Sequence, residues 1–115
     1  MEKNIIIVTG GAGFVGSNLI DFLLKKTKLK IISLDNYSSG NKNNHIKNSR
    51  VKYILCDTQN IAKHIKNPKL INSIFHFGEF ARIYQSFLNM NECINSNSIG
   101  TNAVFNFCLK YKIKL

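Results

Sequence analysis

The stretch VTGGAGFVG, residues 8–16, decides the fold. Its glycines run in two overlapping registers: Gly10, Gly13 and Gly16 spell G-x-x-G-x-x-G, while Gly11, Gly13 and Gly16 spell G-x-G-x-x-G. Just before it lies NIIIV (4–8), a continuous β-branched run of the kind found in strands buried on both faces. Just after it, FVGSNLIDFLLKK (14–26) places Val15, Leu19, Phe22 and Leu23 at helical spacing, with Asp21 on the other side and lysines at the end. A glycine loop that follows a buried strand and opens an amphipathic helix suits a dinucleotide pyrophosphate. The glycines allow a tight turn and close backbone approach, and the helix start offers free N–H groups and a favourable dipole. The same glycines also suit a plain strand–helix turn. A Walker-type ATP loop is discounted: Gly11 and Gly16 have the G-x-x-x-x-G spacing, but Ser17 stands where Lys is required, and no lysine occurs between residues 4 and 24.

The second strand, KIISLD (30–35), ends on Asp35, 19 residues after Gly16. That matches the acidic residue about 20 positions on which accepts hydrogen bonds from an adenosine ribose. A carboxylate there repels a 2′-phosphate, and no Arg follows closely, so NAD is favoured over NADP. A loop cap is the plainer reading of Asp35.

Further along, NYSSGNKNNHIKNSR (36–50) is polar and turn-rich, a loop with room for one helical turn. VKYILCD (51–57) reads as a third strand. TQNIAKHIKN (58–67) reads as a short helix with Thr58 as N-cap and Ile61, Ala62 and Ile65 on its apolar face; Pro68 ends it. LINSIFHF (70–77) is the fourth strand. A turn-rich or helical stretch runs to about residue 90. A long helix is expected over 91–112, with Ile94, Thr101, Val104, Phe105 and Cys108 on one side, and KIKL begins a further strand. Strands alternating with helices argue for an α/β fold with a parallel sheet and crossover helices. The expectation is a Rossmann-type doubly wound parallel sheet, truncated after about four strands.

Composition excludes several classes. At 115 residues, 44% hydrophobic and 19% charged, the chain fits one globular domain. It has no apolar run of membrane-spanning length and no signal-peptide start, so no membrane partner is expected. Cys56, Cys93 and Cys108 are widely spaced, with no C-x-x-C. They read as buried free thiols, which implies a reducing, cytoplasmic location and no metal site. The net charge of +10 raises nucleic-acid binding. The lysines do not form one block, however, and cluster near helix ends, where they favour the helix dipole. No nucleic-acid partner is therefore expected.

Taken together, VTGGAGFVGSNL, LDNYSSG, CD and FHFGEFARIYQSF resemble the extended short-chain dehydrogenase/reductase family. Within it they resemble the NAD-dependent epimerase/dehydratase group, whose UDP-glucose 4-epimerases begin in this way. The resemblance covers essentially all of residues 1–115. It implies that Thr9, Gly10, Gly13 and Gly16 form the T-G-x-x-G-x-x-G loop, with the Phe14 and Val15 backbone close to the pyrophosphate. Asp35 and Asn36 would meet the adenosine ribose, with Ser38 and Ser39 near it, and Asp57 and Thr58 would contact adenine. Phe77 and Gly78 would line the nicotinamide side. Asn97, in NSIGTN, would lie near the cofactor and hold the active-site helix. Plainer roles remain: Asp57 as a helix cap, Asn97 as a local polar residue, Phe77 as core, and His76 as a packed residue.

Two departures stand out. After the fourth strand the family often has H-x-A-A or H-x-A-G, whereas here HFGEFAR brings Glu79 and Arg82, which pair with each other or face the substrate. The family's catalysis also needs Tyr-x-x-x-Lys. Four residues after Tyr37, Tyr53, Tyr84 and Tyr111 come Asn41, Asp57, Leu88 and Leu115. No catalytic residue is therefore assigned. The expectation is that residues 1–115 are the N-terminal part of a NAD-binding domain, lacking the catalytic and sugar-binding parts. The complete enzyme would take a nucleotide sugar as substrate and form a homodimer. A non-catalytic, stand-alone NAD-binding module is the alternative.

Overall fold

A computed structural model describes residues 3–38, 40–77 and 101–115. Four parallel strands form one sheet: β1 (Ile5–Thr9), β2 (Lys30–Asp35), β3 (Val51–Leu55) and β4 (Ile71–His76). Their order is β3-β2-β1-β4, so the sheet grows in opposite directions from β1. The chain is an α/β protein of the doubly wound, Rossmann type, and the reversal between β1 and β4 is where ligands of such sheets bind.

The period-two geometry of a strand divides β1 between two cores. Ile6 and Val8 join Ile20, Leu23 and Ile31 beneath α1 (Phe14–Lys26). Ile7 joins Leu34, Cys56, Ile71 and Ile74 on the opposite face. That face is covered by α2 (Ile61–His64), through Ile61, by Ile65 just after it, and by α3 (Thr101–Tyr111), through Val104, Phe107 and Cys108. β1, packed on both faces and flanked by strands on both sides, needs its unbroken apolar run.

Several expectations are corrected in detail. The buried stripe of α1 is Gly16, Ile20 and Leu23, and Val15 and Phe22 are more than half exposed. Gly16 sets this phase: it is the residue that must lie against the loop, so positions four and seven further on face the sheet. In α3 the buried residues are Val104, Phe107 and Cys108, while Phe105 is half exposed. Apolar residues ring this helix at 103–105 and 107–109, so spacing alone does not fix its face. Thr58 is not an N-cap. Asp57 holds that position without a side-chain cap bond, and Thr58 is buried in a 3-10 turn over Thr58–Asn60. Pro68 opens another 3-10 turn, Pro68–Leu70, and α2 has already ended at His64. The part of the long helix before Thr101, and the stretch from 78, lie outside the described residues.

Two further features agree with the sequence reading. Lys42–Asn44 supplies the single helical turn in the 36–50 loop. Lys114 makes a parallel bridge to Ser73, and Ile74 N–H donates to the Lys114 carbonyl at 2.8 Å, so the last residues lie along the outer side of β4. Arg50 secures the return from α1. Its guanidinium donates to the carbonyls of Leu24 (2.7 Å), Thr27 (2.8 Å) and Leu29 (3.1 Å). No helix among the described residues is long and apolar enough to cross a membrane. Those residues contain no cluster of three potential metal ligands.

Candidate functional site

The glycine loop leaves the end of β1 at the switch point. Gly10 has φ 72°, a left-handed conformation that glycine adopts without a side-chain clash. Its N–H donates to the Leu34 carbonyl at 2.7 Å, and its carbonyl accepts from Gly13 N–H at 3.0 Å. Gly16 then lies against Gly10: a Cβ at position 16 would come 2.8 Å from the Gly10 carbonyl carbon and nearer still to its oxygen. Helix α1 starts here with Gly13 as N-cap, no capping side chain and no acidic residue in its first turn. The first intrahelical bond is Ser17 N–H to the Gly13 carbonyl at 2.9 Å. By helix geometry the N–H groups of Phe14, Val15 and Gly16 have no acceptor within the helix. They form an anion-binding edge at the positive end of the dipole. The side chains of Phe14 and Val15 project outward, 82% and 56% exposed.

Asp35 joins β2 to this loop. It is 7% exposed. Its Oδ2 accepts from Ala12 N–H at 3.0 Å and its Oδ1 from Tyr37 N–H at 2.8 Å. The loop-cap role is thus present, and each carboxylate oxygen keeps a further lone pair for a hydroxyl donor. Asn36 bridges two strand ends: its Nδ2 donates to Asp57 Oδ1 at 2.8 Å, and its Oδ1 accepts from Ser38 N–H at 3.0 Å. The structure therefore brings Gly10, Gly13, Phe14, Val15, Gly16 and Asp35 together, with Asn36, Ser38 and Asp57 linked to them. Thr58 lies beside Asp57 with its side chain buried. Ser39, Gly78, Asn97, Glu79, Arg82 and Cys93 lie outside the described residues.

Phe77 follows β4 on the other side of the switch point. Its N–H donates to Thr9 Oγ1 (2.9 Å) and to the Thr9 carbonyl (3.1 Å). The His76 ring bridges two hydroxyls, with Nδ1 2.6 Å from Thr9 Oγ1 and Nε2 3.0 Å from Thr101 Oγ1. This residue, read from sequence as packed, ties the ends of β1 and β4 to the start of described α3.

Sequence reasoning missed the hub at Ala12. Its carbonyl accepts from Asn41 N–H at 3.0 Å and from Asn44 Nδ2 at 2.7 Å, while Asp35 takes its N–H. Nothing in an alanine between glycines signals that a distant polar loop folds onto it. Gly11 was likewise given no separate role, yet it is packed against Ser33 and Ile20. Cys56 is a buried free thiol whose pKa is pushed up to about 11, first by burial and then by the nearby Asp57 charge; Cys108 is also buried and free, with its pKa raised by burial. Both are poor nucleophiles at neutral pH.

A family model described as the NAD dependent epimerase/dehydratase family matches residues 6–115. The chain belongs to this family. A putative UDP-glucose 4-epimerase of Methanocaldococcus jannaschii is 32% identical over 110 residues, covering 95% of this chain and 35% of that protein. A dTDP-D-glucose 4,6-dehydratase of Dictyostelium discoideum is 30% identical over 117 residues, covering 95% and 27%. Among solved structures, the UDP-glucose 4-epimerase of Thermotoga maritima, with UDP-glucose, superposes with a TM-score of 0.79 at 25% identity, covering 95% of this chain and 35% of that one. The chain thus spans about a third of the length of these family members. The family is NAD dependent by description, and its sampled relatives are named for work on nucleotide sugars.

Proposed function

We propose that residues 1–115 form the N-terminal part of the NAD-binding domain of a nucleotide-sugar epimerase or dehydratase. The observation that carries this reading is the pairing of an uncapped helix start with a buried Asp35 across one glycine loop. The residues fit NAD. The close packing of Gly16 on Gly10 keeps the loop thin enough for backbone approach, and the free N–H groups of Phe14, Val15 and Gly16 would hold the pyrophosphate. Asp35 would accept from the adenosine ribose, with Asn36, Ser38 and Ser39 beside it, and its charge would disfavour a 2′-phosphate. Asp57 and Thr58 would border adenine. Phe77 and Gly78 would border the nicotinamide side, and Asn97 would lie near the cofactor.

When bound, NAD supplies the hydride chemistry between cofactor and sugar carbon; the protein supplies position and electrostatics. Residues 1–115 contain no Tyr-x-x-x-Lys pair, so they bind and orient the cofactor without moving the sugar's protons. We therefore expect no turnover of a nucleotide sugar by this chain alone. Membership of an enzyme family favours this reading over a stand-alone dinucleotide module. The free thiols Cys56 and Cys108 fit a reducing cytoplasm, and homodimerisation of the complete enzyme belongs to the same reading.

Thermal unfolding with NAD or NADP tests it. A ligand present at 100 times its Kd stabilises by about 2.7 kcal/mol. NAD is expected to raise the unfolding midpoint and NADP to raise it less at equal concentration. No rise with NAD, or an equal rise with both, refutes the assignment to this site. Formation of a sugar product by the purified chain refutes the division of labour.

A further inference from the structure

Outside the glycine loop, the 36–50 segment is anchored by three aromatic rings. His45 lies flat on Tyr53 of β3, with ring centroids 3.8 Å apart and planes within 11°. Its Nε2 is 2.6 Å from the Tyr37 hydroxyl. The Tyr53 hydroxyl accepts from Ile46 N–H at 2.8 Å. Tyr37 itself has φ 62°, in the left-handed region where a bulky side chain is disfavoured. Such a conformation persists only when the surroundings hold it from several directions. Here Asp35 holds the Tyr37 backbone and His45 holds its hydroxyl. The Tyr37 hydroxyl stays protonated over a wide pH range, because burial, the Asp35 charge and Tyr53 all raise its pKa. Between these anchors, Gly40 packs on the Asp35 carboxylate, and Asn41 and Asn44 close on the Ala12 carbonyl.

We propose that His45 is a positioning residue for the adenosine half of the dinucleotide: stacked on Tyr53 and bonded to Tyr37, it holds Tyr37 and residues 40–44 in the arrangement that presents Asp35 and clamps the glycine loop at Ala12. The inference rests on the NAD reading above. It assigns a binding role to a residue that, in that reading, acts through Tyr37 and Tyr53 rather than on the cofactor. Without His45, Tyr37 loses one of its two anchors and the loop populates other conformations. Measured affinity then falls by the fraction of molecules still holding the competent shape.

Calorimetric titration of NAD and of AMP into the 115-residue chain tests this. For His45→Ala, both affinities are expected to fall about tenfold, equivalent to about 1.4 kcal/mol. The equal loss for AMP places the effect on the adenosine half. Tyr37→Phe removes a single oxygen and is expected to lose about threefold, as for one ordinary hydrogen bond. His45→Phe keeps a ring on Tyr53 but not the bond, so adding Tyr37→Phe to it should cause no further loss, the non-additivity of a shared contact. If His45→Ala does not fold, Tyr37→Phe decides. Folded variants that bind NAD and AMP as the unaltered chain does overturn the inference. An unaltered chain that binds neither ligand overturns the NAD reading first, and this inference with it.

Discussion

Replacing Gly16 with alanine probes the contact that joins fold to cofactor. The added Cβ would sit 2.8 Å from the Gly10 carbonyl carbon and 2.9 Å from Gly11 Cα, whereas ordinary contact begins at 3.4 Å. The obstacle is backbone, so no side chain can rotate away. Clearing the carbonyl carbon alone needs a shift of 0.6 Å, the difference between 3.4 and 2.8 Å, and the nearer Gly10 carbonyl oxygen demands more. Overpacking of this kind costs about 1–3 kcal/mol. Alanine returns up to about 1 kcal/mol through its better helix propensity. Subtracting the full return leaves a net loss of about 0–2 kcal/mol, centred near 1 kcal/mol. For a chain of this size a loss of about 1 kcal/mol lowers the midpoint by about 3–6 °C. The same shift moves the Phe14 and Val15 N–H groups off the pyrophosphate position. Misplacement by about 1 Å is enough for a large functional loss, so NAD affinity should fall more than stability does. Thermal unfolding by circular dichroism and NAD titration on the same sample measure both. A Gly16→Ala chain with unchanged midpoint and unchanged NAD affinity refutes the reasoning.

Two further outcomes follow from the part-buried Arg50 guanidinium and the buried Cys56 thiol. Arg50→Met keeps the aliphatic stem but strips three carbonyls of their guanidinium donor. The expected loss is about 2–4 kcal/mol, given roughly 1.5–3 kcal/mol for a hydrogen bond to a charged group and partial recovery by water; the urea midpoint checks it, and an unchanged midpoint contradicts it. Cys56 has a folded pKa of about 11 against 9.0 ordinarily, so its protonated thiol contributes stability that is fully present below about pH 9 and is lost as pH rises towards 11. Urea unfolding from pH 8 to 11 should show this decline, and Cys56→Ala should flatten it; identical slopes in both chains exclude Cys56 as the cause.

How much of this was legible in the sequence depends on the range of the forces involved. The strands were readable because NIIIV and KIISLD must be apolar and β-branched to be buried on both faces. Asp35 was readable because its position is fixed by one strand–helix–strand unit, whose length varies little. Helix phase was not. Val15 and Phe22 suited an apolar stripe as well as Ile20 did, and only the contact between Gly16 and Gly10 rotates α1 to bury Ile20. The hub at Ala12 and the ring stack on Tyr53 were invisible for a related reason. Both join the 36–50 loop to other segments by hydrogen bonds and ring contacts that leave no periodic trace.

Amide NMR of the 115-residue chain during NAD titration tests the central claim most directly. The account predicts that the largest shifts fall on Gly13, Phe14, Val15 and Gly16, with Ala12 and the residues after Asp35 moving alongside them, and that the Asp35→Asn variant needs more NAD to reach the same shifts. Saturating NAD that leaves these amides in place, or moves the lysine-rich ends of α1 and α3 instead, would contradict it.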